Sequence, residues 1–290
     1  MNSGPALVQT LFLAAFGFFG YGPVQDHSEF ISTRLADDGR TVVFTLHQFA
    51  YQSATGWRAF PDGGVPRYVK DVNLAGTYDL QTHRVRTLRR QKNSQWQPGD
   101  GLFTIHAING TKALLVQGGQ LRGTFKLDTK YVLVDIQSGK CAELDLRSDL
   151  GKHGREPGEI YLVDSTGTLV FVTRALQQPK IGSAVDRSVE VPEIWVRMPG
   201  GAYLKAANSA HYERTLNGEV IYWEPSTRLF MAFSIATGRT HPLPGYKVPG
   251  YQDITHGVIL SPDHRGLQVG QKVSGNWIYR PLELKLDAIK

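Results

Sequence analysis

"YDLQTHRVRTL" occupies residues 78–88, "VDIQSGKCAEL" residues 134–144 and "FSIATGRTHPL" residues 233–243. In each, an alternating apolar stretch gives way to a polar corner, and a leucine returns six positions after a hydroxyl residue: Thr82 to Leu88, Ser138 to Leu144, Thr237 to Leu243. The phrase reads as two strands joined by a tight turn, with Gly139 and Gly238 supplying a permissive backbone at the corner. His83 stands there in the first copy, where a side chain tolerates a left-handed conformation less readily. Three copies in one chain point to a repeated unit.

A second phrase recurs between these copies. "DDGRTVVF" (37–44), "INGTKALLV" (108–116), "STGTLVFV" (165–172) and "LNGEVIYW" (216–223) each set a turn before a short, strongly β-prone run, and "SPDHRGLQV" (261–269) is a fifth member with a degraded turn. Gly39, Gly110, Gly167 and Gly218 are separated by 71, 57 and 51 residues. Units of this size holding several short strands are the mark of a β-propeller. The expectation is therefore an all-β fold, a β-propeller of five blades, one for each strand-opening phrase. Six blades require the apolar terminus or the long first unit to add a sheet, and a β-sandwich or two small β domains is the competing architecture. Closure is expected to pair an N-terminal strand with "NWIYRPLEL" (276–284).

"ADDGRTVVF" (36–44) and "LSPDHRGLQV" (260–269) resemble the S-P-D-G strand opening of TolB-like and WD40-like propellers. The D-x-x-[ST]-G hairpin with its later leucine resembles their outer strands. The resemblance covers most of residues 30–286 as a loose repeat and implies the propeller fold.

Residues 6–22, "ALVQTLFLAAFGFFGYG", carry no charge, and the first Lys or Arg of the chain is Arg34. An apolar block of this length must be cleaved off, buried in lipid or buried in protein. We expect residues 1–25 to form a signal or membrane anchor and residues 26–290 the propeller, which puts the propeller outside the cytoplasm, periplasmic or secreted. The block is short for a span, and no A-x-A cleavage site follows it.

The 290 residues carry 32 Lys and Arg against 26 Asp and Glu, a formal charge of +6. Only residues 84–92 cluster the basic groups, so a solvated basic edge is the first reading and a polyanion or glycan site the second. Nucleic acid is not the expected partner. Cys141 is the single cysteine, which excludes an intrachain disulfide and paired-cysteine metal sites, and its alternating surroundings predict a packed or half-packed residue.

Catalytic signatures are missing. No H-x-H, H-E-x-x-H, EF-hand loop, G-x-S-x-G elbow or phosphate-cradling glycine loop occurs, and no cofactor or metal is expected. Asp135, Glu224 and Asp253 are nominal candidates for a carboxylate pair. Asn109-Gly110-Thr111 matches a glycosylation acceptor but coincides with a turn.

Residues 49–76 read as a long insertion between two strands, rich in aromatic and arginine side chains. Tyr51, Trp57, Arg58, Phe60, Arg67 and Tyr68 are of the types that dominate interface hot spots. Residues 174–193 form a weaker, more polar extension. The expected function is a noncatalytic scaffold or accessory subunit that docks a protein partner, within a membrane-associated complex, with membrane contact through residues 6–22. The rivals are a carbohydrate-active hydrolase or lyase working in the propeller funnel, and a polyanion or glycan binder.

Overall fold

The computed structural model describes residues 21–54, 67–97, 99–175, 191–249 and 256–282. Strands β1 (Tyr21–Leu35), β2 (Thr41–Ala54), β3 (Arg67–Asp79) and β4 (Val85–Lys92) form the first sheet, and β5 (Phe103–Asn109), β6 (Lys112–Gln120), β7 (Leu127–Asp135) and β8 (Cys141–Leu144) the second. A six-residue helix, α1 (Leu146–Gly151), leads into the third: β9 (Arg155–Leu162), β10 (Leu169–Ala175), β11 (Glu193–Arg197) and β12 (Tyr203–Ala207). The fourth holds β13 (Tyr212–Leu216), β14 (Glu219–Glu224), β15 (Leu229–Ser234) and β16 (Thr240–Pro242), and the fifth β17 (His256–Leu260), β18 (Leu267–Val273) and β19 (Asn276–Leu282). Each sheet is an antiparallel meander of consecutive strands. Among the described residues no helix is long and apolar enough to cross a membrane.

The repeated phrases are the hairpins of these meanders. Each strand-opening phrase turns from the first strand into the second, with the left-handed corner at Gly39, Gly110, Gly167, the Asn217-Gly218 pair and His264. The three copies of the other phrase turn from the third strand into the fourth. In the first, the Asp79 carboxylate accepts from the Gln81 and Thr82 amides while the His83 amide donates to the Asp79 carbonyl. Asp135 does the same for Gln137, Ser138 and Gly139. In the fourth sheet Ser234 replaces the aspartate and accepts from Thr237 at a long 3.4 Å. His83 adopts φ 56° without being glycine, and its Nδ1 lies 2.7 Å from the Tyr78 hydroxyl, a contact that offsets part of the backbone strain.

The second strand of each sheet explains the continuous apolar runs. A strand covered on both faces has no polar side, so its sequence loses the usual alternation. Val42, Phe44 and Leu46 of β2 pack toward Val258 and Leu267 of the fifth sheet, whereas Val43 packs toward Ile105, Leu115 and Val134 of the second. Leu114 of β6 joins Ile160, Phe171, Trp195 and the helix residues Leu146 and Leu150. Val170 of β10 joins Val220, Tyr222 and Phe233 of the fourth sheet. All four apolar clusters thus lie between sheets, the arrangement of blades in a propeller.

The first strands face a common axis and are tied together. The Phe30 amide donates to the His264 carbonyl, the Ile105 amide to Ser32 Oγ and the Gly110 amide to Asp37. His106 Nε2 lies 2.7 Å from the Ile160 carbonyl, and Tyr161 of β9 stacks obliquely on Tyr212 of β13.

Two expectations are corrected. Residues 49–54 and 67–76 are not an insertion loop but continuations of β2 and β3, because "QFAYQ" and "RYVKDV" keep the two-residue alternation of a strand. Cys141 is exposed, since β8 is the outermost strand of its sheet. The apolar block 6–20 and most of residues 174–193 lie outside the described residues.

The basic cluster becomes β4, the outer strand of the first sheet, and part of it is engaged. Arg86 donates to the Gln137 and Ser138 carbonyls of the second sheet, and Arg89 pairs with Glu143.

Two outcomes follow from this packing. Leu114→Ala, which hollows the contact between the second and third sheets, lowers unfolding stability by about 3–4 kcal/mol in denaturant titration. Asp135 is held well below the usual carboxylate range by the Lys112 ammonium and then by the Ser138 amide, and Asp79 by Arg40 and then the Thr82 amide. Both native-state values are depressed, so this stabilisation is complete above about pH 4 and lost as pH falls further. Asp135→Asn therefore lowers stability at pH 7 and flattens the acid limb of the stability–pH curve measured by thermal unfolding.

Candidate functional site

The first three strands are 15, 14 and 13 residues long, whereas the remaining strands span nine or fewer. They overrun the body of the propeller. Along β2 the side chains of Val43, Thr45, His47, Phe49 and Tyr51 follow one another on one face, and their surroundings change from apolar to polar to aromatic. Val43 sits in the intersheet core; the Thr45 hydroxyl meets Ser32 at 2.8 Å.

His47 is only 3% exposed and lies between two carboxylates. Its Nε2 is 2.9 Å from Asp71 Oδ1 and its Nδ1 is 3.3 Å from Glu29 Oε1. A carboxylate only accepts, so the imidazole donates to both partners only when both nitrogens carry protons. Behind Asp71 the network continues inward. Asn93 donates to Asp71 and to the Asp100 carbonyl, and Asn73 donates to Asn93 and to the Gly101 carbonyl, which also accepts from Gln117. Residues 93–101 join the first sheet to the second, so this polar base fixes the root of the overhang to both.

Beyond the base the face is aromatic. His27 lies parallel to Phe49 and to Tyr51, each at 5.1 Å between ring centroids, and His47 stacks on Phe49 at 4.6 Å. Tyr68, paired across from Tyr51 in the ladder, closes the row with centroids 6.2 Å apart. Burial, and then the nearby Asp71 charge, raises the Tyr68 phenol, so it stays neutral at physiological pH. All five rings except His47 remain partly exposed. The structure thus brings together Tyr51 and Tyr68, and sets Arg67 on the adjacent, exposed start of β3. Trp57, Arg58 and Phe60 lie outside the described residues. His27, Glu29, His47, Phe49 and Asp71 escaped sequence reasoning, although the two-residue step His47, Phe49, Tyr51 was its available signal.

A second feature lies on the axis. A cavity of about 590 Å³ is lined by the later parts of four first strands: Arg34 of β1, His106 and Asn109 of β5, Glu159 and Tyr161 of β9, and Tyr212 to Thr215 of β13. The Tyr161 hydroxyl donates to Glu159, and burial together with that contact pushes its phenol up to about 12. Tyr212 is raised by burial, and its hydroxyl meets that of Thr215 at 3.1 Å. Neither tyrosine serves as a base at neutral pH. No sequence signal marks this cavity, because its residues come from four distant segments.

The nominal carboxylates do not converge. Asp135 and Glu224 cap hairpin turns, Glu224 accepting from Ser226, and Asp253 lies outside the described residues. Among the described residues no group of three His, Cys, Asp or Glu side chains is placed to hold a metal.

No family model and no curated protein matches the chain. Among solved structures it is similar to the β-propeller domain of the Trilobed protease from Pyrococcus furiosus, with TM-score 0.33 and 10% identity over 89% of this chain and 82% of that one. TolB from Acinetobacter baumannii gives 0.25 and 11% over 97% and 69%, and oligogalacturonate lyase from Vibrio parahaemolyticus 0.31 and 10% over 90% and 86%. The propeller assignment rests on the sheets and their packing, since likeness at this level carries none.

Removing one member of the polar base leaves a buried group without its partner. Asp71→Ala costs about 3 kcal/mol in global stability, and amide exchange accelerates first in residues 44–50 and 70–75. Unchanged exchange there would show that the overhang is held by other contacts.

Proposed function

We propose that the protein is a noncatalytic, extracytoplasmic propeller serving as a scaffold or accessory subunit of a larger, membrane-associated complex, docking a protein partner through the aromatic row of the first sheet. The observation that carries this reading is the overhang itself. Three strands extend past the body of the fold and carry His27, Phe49, Tyr51 and Tyr68 side by side, half-buried, above a rigid polar base. Rigid aromatic side chains lose little rotamer freedom on docking and bury large areas, which is why they act as anchors. Trp57, Arg58, Phe60 and Arg67 belong to the same excursion of the chain and would extend the contact. The apolar block at residues 6–22 supports placement at a membrane, where anchoring raises the effective concentration of the propeller near its partner.

Of the rival readings, the basic edge is weakened by the engagement of Arg86 and Arg89 with the second sheet. The glycosidase reading lacks a convergent carboxylate pair among the nominal candidates.

The test is copurification from gently solubilised membranes of the native source. The native chain brings down a defined partner at fixed stoichiometry, and Tyr51→Ala with Tyr68→Ala weakens that association by about 100-fold or more while leaving the thermal midpoint nearly unchanged. Recovery of the native chain as a partner-free soluble monomer, or full retention of the partner by the double variant, overturns the reading.

A further inference from the structure

We infer that the axial cavity is a binding site for a small organic monoanion bearing hydroxyl groups, a hydroxylated carboxylate, separate from the docking row and independent of it. The cavity holds more hydrogen-bond donors than the protein uses. Arg214 Nε is buried without a hydrogen-bond partner, its nearest carboxylate oxygen being Glu213 Oε1 at 3.9 Å, beyond bonding range. The exposed Arg34 side chain makes no hydrogen bond or ion pair among the described residues. A guanidinium stays charged, and the buried Arg214 Nε–H without an acceptor is unfavourable, so that group, beside the exposed Arg34 guanidinium on the same cavity, calls for an acceptor from outside. Planar carboxylates match the guanidinium fork.

The remaining lining narrows the class. Glu159 and Glu213 balance the two arginines in formal charge, so a dianion such as phosphate meets repulsion as well as attraction. Those carboxylates accept readily, and the ligand that satisfies them carries donors of its own; Glu159 already takes one from Tyr161. His106 commits Nε2 to the Ile160 carbonyl, which leaves Nδ1 as the ring nitrogen without a partner among the described residues. Tyr161 and Tyr212, with ring centroids 4.3 Å apart, give the cavity a firm apolar wall against which the carbon skeleton of such a ligand packs. The volume of about 590 Å³ suits a molecule of one or two sugar-sized rings.

The experiment is isothermal titration of the full chain with D-glucuronate and with D-gluconate, using D-glucose and inorganic phosphate as comparison ligands. The two hydroxylated carboxylates bind at millimolar concentration or below, and glucose and phosphate bind about tenfold more weakly or not at all. Arg34→Gln and Arg214→Gln each lower the affinity by about 10- to 100-fold. Arg34 is exposed, so its variant keeps the fold, and its thermal midpoint verifies this. Absence of heat with both carboxylates overturns the inference, as does unchanged affinity in both arginine variants. Equal binding of phosphate reduces the cavity to a generic anion site and overturns the ligand class.

Discussion

No sheet in this protein has a core of its own. Each is a single layer, and the apolar clusters join the first sheet to the second, the second to the third, the third to the fourth and the fifth back to the first. This mutual dependence fixes everything else. Because faces must meet faces, the sheets stand on edge around an axis, and because each sheet is a meander, the first strand of each comes to that axis. The axial cavity lies among the first strands of four sheets, beside the stacked pair Tyr161 and Tyr212. The overhang exists because three strands of one sheet continue past the point where a neighbour can cover them.

How each uncovered surface is managed differs. On the overhang, a histidine bracketed by two carboxylates stands between the dry intersheet core and the exposed rings, and asparagines carry the network back into the connection between sheets. Such a buried polar chain is costly unless fully satisfied, and here it positions a surface more than it adds stability. In the axial cavity the buried donor Arg214 Nε is left over, as the Asn73 Oδ1 acceptor is in the base.

Much of the fold was legible because turn chemistry is local. Asp79, Asp135 and Ser234 begin the same corner, and Gly39, Gly110, Gly167 and Gly218 mark the same first hairpin, so spacing alone exposed the repeat. Gly167 shows why the residue is needed twice over: its φ is 97°, and an added Cβ would stand 2.6 Å from Leu133 of the neighbouring sheet. The overhang was misread as a loop because aromatic and arginine content outweighed the alternation that runs through "FAYQ" and "RYVKDV". The cavity was illegible: Arg34, His106, Tyr161 and Arg214 meet only through the radial arrangement of sheets, and no spacing along the chain encodes it.

The unbroken meander of each sheet has a consequence for a chain emerging from the ribosome. A completed sheet finds cover for one face as soon as the next is made, so Val43 is sheltered early by Ile105 and Leu115. The opposite face of that same first sheet waits for the fifth, since Val42, Phe44 and Leu46 are covered by Val258 and Leu267. Of the five sheets the first to be made keeps one apolar face unshielded the longest, and the nascent protein carries it bare until the fifth arrives.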